Sequence, residues 1–185
     1  MKMPRSNRSR PGEIGALLGI AAVVVVADQL SKAAVAAALP LGGRFNVIGD
    51  LVQIWHAENS GAAFSLLQNG LPLFLVVTVV ALGLVAYYAR TLHGRSWWYF
   101  LALGLLLGGT LGNLIDRVTR GGRVIDFVSV GFGTTRFPTF NVADSGLTVG
   151  VILLIVLLWF FDTEPDGTAA PTPASGDGRH PGGAG

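Results

Sequence analysis

Four apolar runs, at about residues 14–39, 71–90, 97–116 and 143–161, constrain this chain more than any other feature. Each approaches the roughly 20 apolar residues that a helix needs to cross about 30 Å of hydrocarbon. With 185 residues, 51% of them hydrophobic and 13% charged, little is left over for a separate soluble domain. The expected class is an all-α membrane protein of four transmembrane helices, with a small extracytoplasmic β-sheet and lid segment. The first run reads as a retained helix, because a cleaved signal peptide would have a shorter core ending at a small-residue cut site.

The domain organisation follows from what flanks these runs. Residues 1–13 form a basic arm carrying Lys2, Arg5, Arg8 and Arg10, residues 14–161 the membrane domain, and 162–185 a tail rich in Gly, Pro, Ala and Thr that cannot bury a core. Val47-Ile48, Leu51 to Trp55 and Val124 to Val130 read as short strands, and Arg136-Phe-Pro138 as a turn. If both termini are cytoplasmic, the inner side holds Lys2, Arg5, Arg8, Arg10, Arg90, Arg95 and Arg179, against Arg44, Arg117, Arg120, Arg123 and Arg136 outside. That bias, with its dense cluster beside the first span, gives an N-in, C-in topology and a cytoplasmic arm and tail. The basic residues set orientation, so nucleic acid is not an expected partner.

Polar residues in hydrocarbon are expensive and mark function. Asp28 and Lys32 sit near the outer end of the first span, roughly 20 Å along it at about 1.5 Å per residue. Asn113 and Asp116 close the third span, Asn141 and Asp144 open the fourth, and Asn59 and Asp126 lie on the connecting segments. The up-down topology brings all of them to one membrane surface. Gly104, Gly108 and Gly112 on the third span, and Gly146 and Gly150 on the fourth, form stripes that let backbones approach closely, as in many membrane bundles.

The chain contains no cysteine, which excludes disulfides, thiolate metal sites and cysteine nucleophiles. His56, His93 and His180 lie away from any serine partner, so a Ser-His-Asp triad is not expected. Ser31 and Lys32 diverge by about 100 degrees on their helix. No His-Glu-x-x-His zinc pattern occurs. Paired aspartates remain: two carboxylates sharing a proton, one acting as base on a water and the other as acid toward a carbonyl. Asp144 is one member, at the start of a span. The second is Asp126 or Asp116. Asp126 is preferred because its apolar segment has no adjacent cation, whereas Asp116 precedes Arg117 and suits an ion pair. Plainer roles stand beside these: an i, i+4 ion pair for Asp28 and Lys32, a turn for Asn59-Ser-Gly, a helix cap for Asn141, and a solvated loop position for Asp126. A small transporter or proton-relay subunit, and a structural partner that uses its glycine stripes, are the alternative functions.

Taken together, Asp28-Gln-x-x-Lys32, Asn59-x-Gly-Ala-Ala-Phe64, Gly108-Gly-x-x-Gly-Asn-x-x-Asp-Arg117, Val124-x-Asp-Phe127 and Phe140-Asn-x-Ala-Asp144 resemble, in order and spacing, the lipoprotein signal peptidases, or signal peptidase II. These are bacterial intramembrane aspartyl endopeptidases. The resemblance runs from about Asp28 to Val151. It implies a catalytic dyad of Asp126 and Asp144, support or substrate contact from Asp28, Lys32, Asn59, Gly61, Asn113, Asp116, Arg117 and Asn141, and no metal or organic cofactor. It also implies a location in the bacterial inner (plasma) membrane with the site at the outer face. The implied partners are diacylglyceryl prolipoprotein signal peptides, cut just before the lipidated cysteine, together with membrane lipid and globomycin-like inhibitors. The Gly- and Pro-rich tail and the basic arm match no family motif.

Overall fold

Helices occupy all four apolar runs. The computed structural model describes residues 10–60 and 71–161, so most of the basic arm, Gly61 with the rest of the 61–70 stretch, and the tail lie outside the described residues. In chain order the elements are α1 (Arg10–Ala38), β1 (Arg44–Ile48), β2 (Val52–Asn59), α2 (Leu71–Thr91), α3 (Trp97–Thr119), β3 (Val124–Phe132), β4 (Thr135–Arg136) and α4 (Val142–Phe161). Among the described residues, Pro11–Ala38, Trp97–Thr119 and Val142–Phe161 are long and apolar enough to cross a membrane, while α2 offers the shorter apolar stretch Leu75–Thr91.

The central helix is α3, which packs on α1, α2 and α4. Its glycines explain how. A Cβ at Gly104 would meet Ile20 and the Leu17 carbonyl, one at Gly108 would meet Val24 and the Ala21 carbonyl, and one at Gly112 would meet the Asp28 carboxylate. Successive turns of α3 thus lie against successive turns of α1, whose buried stripe is Leu17, Ala21, Val24, Asp28 and Lys32. On its other side, Gly109 abuts the Ala143 carbonyl and Leu147 of α4, and Gly150 of α4 abuts Ala102 and Leu106. Away from these seams the helices expose Leu18, Val23, Leu30, Val79, Leu84, Val149, Ile152, Ile155 and Trp159. Charged residues inside and aliphatic ones outside is the distribution that a lipid solvent selects.

Gly109→Ala tests this packing. The added methyl meets backbone as well as the Leu147 side chain, so neither wall yields cheaply. The expected loss is about 1–3 kcal/mol, read as a lower melting temperature in detergent micelles.

Beyond the helix ends, β1–β2–β3–β4 form one antiparallel sheet. The end of α3 dictates its approach. Gly121 adopts φ 62 just past the helix, and the Gly122 N–H bonds back to the Arg117 carbonyl at 2.8 Å, turning the chain sharply into β3. The Arg136-Phe-Pro138 segment was expected to turn. Instead the reversal falls at Gly133-Thr134, and Arg136 belongs to β4, where its guanidinium donates to Ser129 Oγ at 2.8 Å and to the Asp50 carbonyl at 2.9 Å. Gly133, at φ 53, adopts the left-handed conformation that a tight reversal needs and that Pro138 cannot, so Gly133 takes the turn. Phe140 then bridges to Val128, and this delivers the start of α4 to the flank of β3.

Candidate active site

Two linked polar clusters lie at the end of the bundle where α1 and α3 finish and α4 begins. The first centres on Lys32, which is fully buried. Its Nζ lies 2.7 Å from Asp28 Oδ2 and 3.0 Å from Asp116 Oδ2, and both carboxylates are fully buried too. The i, i+4 pair expected within α1 is therefore present, but it is half of a triad that crosses to α3. The close ionic partner of Asp116 is Lys32, with Arg120 Nε at 3.5 Å one turn further on. Gln29 Nε2 donates to Asp28, to Asp116 and to the Gly112 carbonyl, each at 3.2 Å. Two backbone N–H groups complete the set: Ala143 donates to Asp28 Oδ1 at 2.9 Å and Ile125 to Asp116 Oδ2 at 3.1 Å. The triad thereby fixes where α4 starts and where β3 passes.

Asn113 joins this triad to the second cluster. Lysine can only donate, so the Asn113 Oδ1 that faces Lys32 at 3.2 Å fixes the sense of the amide, and its Nδ2 is left to donate to Asp144 Oδ1 at 2.8 Å. Asn141 is oriented in the same way. It caps α4, its Oδ1 accepting the Asp144 N–H at 2.9 Å while Asp144 Oδ2 accepts the Asn141 N–H at 3.1 Å. This reciprocal arrangement is a capping box with aspartate in the third position. The remaining Asn141 Nδ2 donates to Asp126 Oδ1 at 2.7 Å and approaches Asn113 Oδ1 at 3.2 Å.

Asp126 arrives on β3, opposite Ala57 of β2. Its other oxygen accepts from Asn59 Nδ2 at 2.9 Å. Burial pushes its carboxyl up to about 6. The Asn59 and Asn141 hydrogen bonds and the Lys32 charge oppose that rise, and neighbouring Asp144 adds to it. Arg117 donates to the Asn113 carbonyl at 3.3 Å, and its charge acts on Asp144, Asp126 and Asp116.

Of the residues singled out in the sequence, the structure brings together Asp28, Lys32, Asn59, Asn113, Asp116, Arg117, Asp126, Asn141 and Asp144; Gly61 lies outside the described residues. Gln29 and the two backbone donors were missed as contributors. The glutamine sits inside the Asp28-Gln-x-x-Lys32 motif, and its position beside an aspartate at a helix–helix seam was the available signal. At the other end of the bundle, buried Glu13 accepts from His93 Nδ1 at 2.6 Å and ties α1 to the α2–α3 turn.

Residues 20–160 match the family model described as signal peptidase (SPase) II. The chain belongs to the signal peptidase II family. A lipoprotein signal peptidase of Geobacillus kaustophilus (strain HTA426) is 43% identical over 148 residues, covering 80% of this chain and 96% of its own length. That of Rhodococcus jostii (strain RHA1) is 46% identical over 158 residues, covering 82% and 76%. A solved structure described as a bacterial membrane enzyme superposes with a TM-score of 0.72 at 38% identity, covering 78% of this chain and 93% of the other. The protein is thus an aspartic peptidase, in place of the transporter or structural partner that its sequence also allowed.

Proposed function

We propose that this signal peptidase II releases the signal peptide of diacylglyceryl-modified prolipoproteins by cutting on the N-terminal side of the lipidated cysteine, with Asp126 and Asp144 as its catalytic dyad. The observation that carries the dyad is the pair of amides, Asn113 and Asn141, each held in one sense and each donating to one of the two carboxylates. They tether the acids without neutralising them, and the elevated Asp126 carboxyl suits the member of the pair that gives up a proton. The names of the similar chains support the substrate class.

In this scheme Asp144 takes a proton from water as the water oxygen bonds to the scissile carbonyl carbon, and Asp126 gives its proton to the carbonyl oxygen. The gem-diol then collapses. Asp144 protonates the departing nitrogen, the C–N bond breaks, and a diol proton returns to Asp126, restoring the starting state. Asp28, Lys32 and Asp116 hold β3 and the start of α4 in place, Asn59 and Arg117 act on the acids directly, and Gly61 supports the site or binds substrate. The site lies at the outer face of the inner membrane, with four spans, both termini inside, and α2 counted as the second span. The lipid anchor of the substrate would hold the scissile bond at that depth. Globomycin-like peptides would compete for the dyad.

The test is cleavage by the purified protein in micelles. A diacylglyceryl-modified prolipoprotein should release its signal peptide, while the same precursor without lipid should remain intact. No release, release from both alike, or a cut at another bond would overturn the reading.

A further inference from the structure

The sheet is amphipathic in a way that the site does not use. Residues paired across a sheet share a face, and two cross-strand rows, Phe45–Ile54–Val128 and Ile48–Val52–Val130, are wholly apolar. The row between them, Asn46–Gln53–Ser129, is polar and projects from the opposite face, where Ser129 is held by Arg136. The register shift between Asn46 and Ile48 puts Ile48, rather than Val47, across from Val52 and so keeps the apolar side continuous.

Parity along β3 orients that side. Asp126, Val128 and Val130 alternate on one face, and Asp126 reaches Asn141 at the start of α4, so this is the face turned toward the helix ends. Covering is complete at the site end, where Val124 and Asp126 are buried. It then fades along the strand: Val128 and Val130 are half-buried, Phe45 is 50% exposed and Ile48 60%. The helices pack chiefly on β2 and β3, whereas β1, which carries Phe45 and Ile48, packs chiefly on β2. What lies beside a helix bundle at the level of its helix ends is the bilayer.

We infer that the overhanging part of the sheet rests its apolar face, Phe45, Ile48, Val52, Ile54, Val128 and Val130, in the lipid surface on the aspartate side. Two features fix it there. The sheet cannot swing off the spans, because His56 Nδ1 bonds the Leu39 carbonyl at 2.9 Å and the His56 N–H bonds the Gly43 carbonyl at 2.9 Å, next to the end of α1. On the upper face, Arg44 lies over Trp55 at 5.6 Å, and these are the residue types that favour the headgroup layer. Leaving these rows in water would expose a contiguous apolar patch that soluble surfaces avoid. Seating them in lipid would fix the depth of Asp126 on the same strand.

The absence of cysteine from the chain makes the test direct. Phe45→Cys, Ile48→Cys and Asn46→Cys are each labelled with an environment-sensitive fluorophore, and the full chain is placed one copy per nanodisc of phosphatidylethanolamine and phosphatidylglycerol. Labels at 45 and 48 should emit to the blue, be quenched severalfold more by doxyl-labelled lipid than by iodide, and reverse that order at 46. Iodide quenching at 45 and 48 equal to that at 46 would overturn the inference. So would shielding from both quenchers, which would mean that protein covers the face. In the unsubstituted chain, a diazirine carried on a phospholipid acyl chain should mark the 44–55 peptide; failure to mark it would also count against the inference.

Discussion

With Asp126 and Asp144 as the proposed dyad, Asp126→Asn and Asp144→Asn should each lower signal-peptide release by at least about 1,000-fold, because in that scheme either change removes a proton carrier from a unit that works only as a pair. The two variants should differ in stability. Asp126 accepts the Asn141 amide on one oxygen and the Asn59 amide on the other, so an asparagine there leaves one side-chain donor unmet but removes a charge that burial disfavours. Asp144 also uses both oxygens, one for the Asn113 amide and one for the Asn141 N–H, so asparagine there disturbs a backbone donor of the helix cap and relieves no burial of charge comparable to that at Asp126. Asp144→Asn should therefore cost about 1 kcal/mol through the cap, while Asp126→Asn should be at least as stable as the parent at neutral pH. Turnover measured on material shown to be folded by its melting curve separates chemistry from stability. Asp116→Asn is the contrasting case, a variant that weakens the fold and leaves measurable turnover. Equal loss at Asp116 and Asp126 would reopen the choice between them.

Asp126 also sets a pH dependence with a definite sign. Its folded carboxyl titrates near 6 instead of 3.8, so between those values the folded state holds a proton that the unfolded chain has already lost. Stability falls as pH rises across that window and is level above about pH 6. Asp126→Asn removes this slope. Melting temperatures of parent and variant compared from pH 4 to 7 should converge at the acid end and separate, in favour of the variant, toward neutrality.

Much of this architecture is legible in the residues because a lipid solvent imposes simple rules. An apolar run of span length must be helical, so α1 to α4 stand where the hydropathy is high. Alternation in Val-Gln-Ile and Val-Ser-Val marks β2 and β3 equally well, since neighbouring side chains must point to opposite faces. The convergence of Asp28, Asn113 and Asp144 follows from an up-down path. Long-range pairing is harder to read. Asp116 sits beside Arg117 in the chain, yet its close cation is Lys32 on another helix, since adjacent helical residues point about 100 degrees apart. The direction of the Asn113 amide depends on that same lysine, and no local pattern encodes it. Nor could the residues of the hairpin alone show that Arg136 is drawn into a strand by Ser129 and Asp50 across the sheet.

Lys32→Met is expected to be the most damaging change to the fold. The lysine is the charge common to two fully buried carboxylates, 2.7 Å from Asp28 and 3.0 Å from Asp116. Removing one member of a buried ionic set leaves the others uncompensated, at a typical cost of about 3–5 kcal/mol. Arg120, at 3.5 Å from Asp116 and partly exposed, can steady one of the two; Asp28 retains only neutral donors. A second effect acts on the site itself. Without the lysine, Asn113 Oδ1 keeps only the Asn141 amide at 3.2 Å, so the constraint that turns its Nδ2 toward Asp144 is weakened and turnover should fall even in the folded fraction at low temperature. The double variant Lys32→Met with Asp28→Asn distinguishes the two contributions. It removes one negative charge with the positive one and leaves Asp116 facing Arg120, so its melting temperature should recover well above that of the single variant. Its activity should not recover in step, because Asn113 still lacks its lysine. Parallel recovery of both would mean that Lys32 serves the fold alone.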